Sequence, residues 1–167
     1  KKKLPIIIST GMAYANEIKN AFDSTKNNSS VALLKCTSLY PAPDYTLNVR
    51  GILNLKKKYN VPIGFSDHTL DDLSSYIAVS SGASIIEKHF TLNKKKKGKD
   101  HAISMEPKEF KNMCVNIRRI ENILIIYHLI SKLLTLIFPF CKSDIRRFKF
   151  STCTFLPLIQ IDSLSKK

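Results

Sequence analysis

Arginine is scarce in this sequence: it supplies five of the 27 basic residues, and lysine supplies the rest. The formal net charge of +14 would ordinarily suggest nucleic acid, an anionic membrane surface or a phosphorylated substrate. No arginine-rich helix and no aromatic RNA-binding signature supports the nucleic-acid reading. The lysine surplus, together with abundant asparagine and isoleucine, reads as compositional drift on a solvated surface. Glycine and proline are also few, at 5 and 7 residues, which excludes collagen-like repeats and low-complexity scaffolding. With 44% hydrophobic residues the chain is not wholly disordered. Its 167 residues fit one ordinary domain or part of a larger one. The four cysteines, Cys36, Cys114, Cys141 and Cys153, are too far apart for a CxxC pair, and no histidine sits at zinc-finger spacing from them. A reduced, cytoplasmic setting is therefore expected.

Long clean apolar runs are missing too. After Lys1-Lys2-Lys3 the run from Leu4 to Ile8 is too short for a signal-peptide core and soon meets Ser9-Thr10-Gly11, so it reads as a strand. Ile123 to Phe140 is strongly apolar, yet His128, Ser131, Lys132 and Pro139 interrupt it. A central lysine is costly in a membrane, so a buried or aggregating helix is the expectation there.

Four short β-type runs are present, each followed by a stretch with helical spacing. Ile6 to Ser9 precedes a helix over Asn16 to Ser24, and Val31 to Cys36 precedes a turn-rich segment and a helix from about Leu47 to Tyr59. Val61 to Phe65 precedes Leu73 to Ser81, and Ala83 to Phe90 precedes an amphipathic helix over Pro107 to Leu124. Continuously apolar strands alternating with helices imply βα units around a parallel sheet. A barrel and an open doubly wound sheet both satisfy this pattern.

The chemistry-bearing residues gather at the carboxyl ends of those strands: Ser9-Thr10-Gly11-Met12, Cys36-Thr37-Ser38, Ser66-Asp67-His68-Thr69 and Glu87-Lys88-His89. Ligands bind at that face of parallel α/β folds, because loops and helix N-termini converge there. Side chains two apart on a strand share a face, which groups Ser66 with His68 and Glu87 with His89. If the third and fourth strands are neighbours, the two imidazoles meet and form half of a divalent metal site, with Glu87 placed to orient a ligand or move a proton. The competing reading is that each histidine only hydrogen-bonds its neighbours.

The segments Ile8-Ser9-Thr10-Gly11-Met12-Ala13, Cys36-Thr37-Ser38-Leu39-Tyr40-Pro41, Gly64-Phe65-Ser66-Asp67-His68-Thr69-Leu70, Glu87-Lys88-His89-Phe90-Thr91-Leu92, and Asp100-His101-Ala102 with Ser104-Met105-Glu106-Pro107 resemble the sialic acid synthase family in identity, order and spacing. The resemblance runs from about Lys3 to Leu124. It implies a transferase of carbohydrate biosynthesis, built as a (β/α)8 TIM barrel, that condenses phosphoenolpyruvate with an open-chain N-acylated hexose such as N-acetylmannosamine and releases phosphate. It implies a divalent cation, manganese or magnesium, held by His68 and His89. Ser9, Ser66 and, less securely aligned, Ser38 would hold the phosphate or carboxylate of phosphoenolpyruvate, and Glu87 and Asp100 would serve catalysis facing the sugar.

The resemblance also defines departures. Asp71-Asp72 stand where the family usually has glycine, an exchange expected to distort the turn leaving the third strand, and Lys99 stands where proline is common. A complete barrel takes about 250 residues, and the four βα units match the family's second half. The expected fold is thus a partial TIM barrel over 1–124, lacking the first-half lysines that neutralise phosphoenolpyruvate. Residues 125–167 would be a non-family apolar and basic tail, frameshifted or disordered. An isolated half barrel exposes two sheet edges, so a homodimer or a complementary half-barrel chain is an expected partner. Lys35-Cys36-Thr37-Ser38 with Tyr40-Pro41-Ala42-Pro43 leans towards pseudaminic acid synthases, and Asp100-His101-Ala102 towards the N-acetylneuraminate and legionaminate branch. The rival class is a small basic protein that binds nucleic acid or anionic membrane without catalysis, using the tail and the solvated run Lys94 to Lys97.

Overall fold

The computed structural model describes residues 4–25, 30–137 and 156–161. Four βα units follow one another: β1 (Ile6–Ser9), α1 (Ala15–Ser24), β2 (Val31–Cys36), α2 (Gly51–Lys58), β3 (Ile63–Asp67), α3 (Leu73–Ser80), β4 (Ile85–Phe90) and α4 (Pro107–Ile137), with a last strand β5 (Leu156–Ile161). All strands are parallel in the order β1-β2-β3-β4-β5. The third and fourth strands are neighbours, in the register Ser66 opposite Glu87.

The period of two along each strand separates the sheet's faces. Leu33, Ile63, Phe65 and Ile86 turn towards the helices, where they pack with Ile52, Met113 and Ile117 into one core. Each such side chain, fully buried, contributes about 1.5–3 kcal/mol. Asp67 and Lys88 continue the same rows. The opposite face carries Leu34, Gly64 and Ile85, then Cys36, Ser66 and Glu87. A Cβ on Gly64 would collide with Leu34 Cδ2 and come within 2.6 Å of the Ile85 carbonyl oxygen. Gly64→Ala is expected to cost about 1–3 kcal/mol through overpacking, and a shift of the urea midpoint would measure it.

Several boundaries differ from the expected ones. β3 begins at Ile63 and extends through Asp67, because Ser66 and Asp67 remain paired with Glu87 and Lys88. The chain between Asp44 and Thr46 forms a short 3-10 turn, and α2 starts only at Gly51. Helix α4 runs past Leu124 to Ile137. The tail, which has no legible periodicity, contributes β5 alongside β4. The expected frameshifted or disordered tail over 125–167 falls, at residues 138–155 and 162–167, outside the described residues. Among the described residues no helix is long and apolar enough to cross a membrane.

The turn after β3 is not distorted by its two aspartates. Asp72 has φ −111° and ψ −1°, a conformation open to any residue. Asp71 Oδ1 accepts the Leu73 amide at 3.1 Å, and Asp72 Oδ2 accepts the Tyr76 hydroxyl at 2.6 Å. Asp71 thus bonds the first amide of α3 and Asp72 a side chain one turn further on.

Candidate functional site

The ends of β3 and β4 bring four of the expected residues together. Ser66 donates its hydroxyl to Glu87 Oε1 at 2.6 Å, and its Oγ lies 3.0 Å from His68 Nε2. The His68 and His89 rings meet edge to face, with centroids 5.6 Å apart and 71° between planes. Both histidines are buried.

His68 Nδ1 lies 2.6 Å from the carbonyl oxygen of Thr37. A carbonyl only accepts, so the proton of the neutral ring resides on Nδ1 and the lone pair is left on Nε2, the nitrogen beside Ser66. Burial pulls the His68 imidazole below its ordinary 6.5, an effect the neighbouring His89 reinforces, while the Thr37 carbonyl opposes it. Neutral imidazole is the form that ligates metals.

That lowered pKa has a stability consequence. Below 6.5 the unfolded chain takes up a proton that the folded ring resists, so the contribution is present above that pH and lost as pH falls. Urea midpoints at about pH 7.5 and about pH 5.5 should therefore differ more in the parent chain than in His68→Gln. An equal difference in the two proteins would contradict the assignment.

Tyr40 covers the pair. Its ring stacks on His68 at 4.2 Å and 27°, and meets His89 edge-on at 5.5 Å. Burial raises its phenol above the usual 10.0, and nearby Glu87 and Asp100 add to the effect. The loop bearing Tyr40 is tied to the end of β3 by the Ala42 amide, which donates to the His68 carbonyl at 2.9 Å.

Ser9 and Ser38 lie further along the same rim. Ser9 is exposed at the end of β1, opposite Leu34. The Ser38 hydroxyl and Cys36 Sγ press against Gly11, so closely that any Cβ there would collide with both. This contact brings the loops after β1 and β2 together. In the loop after β4, the Lys94 amide donates to Glu106 Oε1 at 2.9 Å and its ammonium pairs with Glu109 at 2.7 Å. The lysine run is thus anchored to α4 at its first residue.

Two imidazoles 5.6 Å apart, one with its tautomer fixed by a carbonyl, suit a divalent cation. Among the described residues no group of three or more His, Cys, Asp or Glu is placed to hold one, and the two imidazoles are the nitrogen donors that the site offers. Sequence reasoning found the histidines, Ser66 and Glu87 but passed over Thr37 and Tyr40. Thr37 acts through its carbonyl, which carries no residue-type signal. Tyr40 stood in a recognised motif, yet nothing in its spacing revealed that the ring lies on His68.

A curled parallel sheet with alternating helices, whose polar residues converge at the strands' carboxyl ends, defines a partial (β/α)8 barrel. The model of the NeuB family matches residues 1–126. The chain is 45% identical over 129 residues to the N,N'-diacetyllegionaminic acid synthase of Legionella pneumophila, covering 74% of this chain and 36% of that protein. It is 40% identical to the pseudaminic acid synthase of Campylobacter jejuni, covering 74% and 37%. The crystal structure of N-acetylneuraminic acid synthetase from Leptospira borgpetersenii in complex with citrate superposes with a TM-score of 0.70 at 42% identity, over 73% of this chain and 43% of that one. The chain belongs to the NeuB family. It spans little more than a third of the length of these two curated relatives.

Proposed function

We propose that the chain carries the histidine-bearing half of a nonulosonic acid synthase site, where phosphoenolpyruvate condenses with an N-acylated hexose such as N-acetylmannosamine and inorganic phosphate is released. The observation that supports it best is the gathering of His68 Nε2, Ser66 Oγ and Glu87 Oε1 through contacts of 3.0 and 2.6 Å beside the His89 ring. A manganese or magnesium ion held by His68 and His89 would supply Lewis-acid polarisation of the sugar aldehyde.

The chain's own residues do the rest. The Thr37 carbonyl holds the His68 proton at Nδ1 and keeps Nε2 turned to the site. The Ser66 hydroxyl has a single proton, which it shares with Glu87 Oε1, and so holds that carboxylate beside the His68 Nε2 lone pair. Tyr40 shields both rings from water on one side. Ser9, Ser38 and Ser66 line the rim for phosphate or carboxylate, and Glu87 and Asp100 face the sugar hydroxyls. Ile7, 41% exposed on the open face of β1, marks where further barrel strands or a partner half-barrel would pack.

The test is 31P NMR of phosphoenolpyruvate with the chain and manganese. Line broadening beyond that of free manganese is expected, together with its loss in His68→Ala/His89→Ala. Broadening that persists unchanged in the double variant would overturn the reading.

A further inference from the structure

The faces of β3 and β4 that look away from the histidines carry a second polar cluster, which the proposed chemistry does not use. Lys88 Nζ lies 3.1 Å from Asp67 Oδ1, with the side chains 1% and 0% exposed. The ammonium also donates to the carbonyls of Thr69 at 2.7 Å and Asp71 at 2.6 Å. Asp67 Oδ1 accepts the amide of Thr69 at 2.9 Å and its hydroxyl at 2.7 Å, and Oδ2 accepts Ser74 and Ser75 at 2.7 and 2.5 Å. Burial alone would raise the Asp67 carboxyl, but the Lys88 ammonium, the two serine hydroxyls and the Thr69 amide outweigh it and hold it below 3.8.

Taking two charges out of water is costly, and a well-packed apolar pair of similar volume commonly holds elements together as well or better. Adhesion between sheet and helices therefore does not require this pair. Directional bonding is what an apolar pair cannot supply. Asp67 and Thr69 flank His68 in the chain, and both are fixed within the cluster. Lys88 lies between Glu87 and His89, and its ammonium is held by oxygens from Asp67, Thr69 and Asp71. A slip or rotation of β4 against β3 would break several of these bonds at once.

We propose that Asp67 and Lys88 are positioning residues: a buried ionic clamp behind the sheet that sets the mutual placement of the His68 and His89 rings in front of it. The inference rests on those rings being the working groups of the site, and not on their binding a cation.

The experiment is 1H–15N NMR of the metal-free chain labelled at histidine, following the His68 Nδ1 proton that the Thr37 carbonyl holds. Asp67→Asn/Lys88→Met removes both charges without leaving one of them buried alone. With methyl dispersion retained, the His68 Nδ1 signal is expected to broaden or vanish in this variant. An unchanged signal in the folded double variant would overturn the proposal, because a merely structural cluster would not act on that proton. Should the double variant not fold, Ser75→Ala gives the reading against Ser24→Ala on exposed α1. A displaced His68 ring signal in Ser75→Ala alone supports the clamp, and equal spectra overturn it. A manganese titration of the parent chain runs in parallel. Failure to bind there would sink the metal assignment while leaving the ring-placement result standing.

Discussion

Lys88→Ala is expected to lower folding stability by about 3–5 kcal/mol, the typical consequence of removing one member of a buried ion pair. The Asp67 carboxylate would remain fully buried beside Ser74 and Ser75 with its counter-charge gone. The Thr69 and Asp71 carbonyls would lose a shared donor. A domain of this size has about 5–15 kcal/mol in total, so the variant should approach the unfolding threshold at ambient temperature. Urea denaturation followed by circular dichroism measures the loss. A change below about 1 kcal/mol, the range of exposed pairs, would mean that the cluster is solvated. Lys19→Ala is the internal control, since Lys19 is exposed and pairs with the half-buried Asp23 on α1.

His68→Ala/His89→Ala is expected to weaken manganese binding by more than about a hundredfold, since even the loss of an outer-shell partner typically costs 10–100-fold. Electron paramagnetic resonance of free manganese gives the affinity directly. Both substitutions act on the face of the sheet opposite the core, so the thermal transition should change far less than in Lys88→Ala. Unaltered affinity in the folded double variant would remove the two imidazoles from any metal role.

The strands were the most legible part of the molecule. β1 and β2 are legible to the residue because runs such as Ile6 to Ser9 and Val31 to Cys36 are apolar and bounded by turn-formers. The end of β3 was less so. Ser66 and Asp67 look like loop residues, yet backbone pairing with β4 continues through them, and the barrel-facing and helix-facing environments satisfy their polar groups. Helix α4 could not be bounded at Leu124 because the apolar stretch beyond it carries no capping or breaking signal before Pro139. β5 depends on pairing with β4, a long-range interaction that local periodicity cannot encode.

In the site, the spacing of two in Ser66-Asp67-His68 and Glu87-Lys88-His89 was enough to put His68 and His89 on one face, and adjacency of the strands did the rest. The same alternation hid Asp67 and Lys88. Read singly, a charged residue on a strand suggests solvent, and only the packed helix layer turns the opposite face into an interior.

The sequence by itself determined the alternation of strand and helix, the gathering of polar residues at strand ends and the kinship with the NeuB family, because all three are written in local pattern and motif. Tertiary structure alone decided that Tyr40 lies over the imidazoles, that the Thr37 carbonyl selects the His68 tautomer, and that Lys88 joins Asp67 behind the sheet. Those contacts join segments distant in the chain, and their strength comes from the exclusion of water, which exists only after the helices have closed over the sheet.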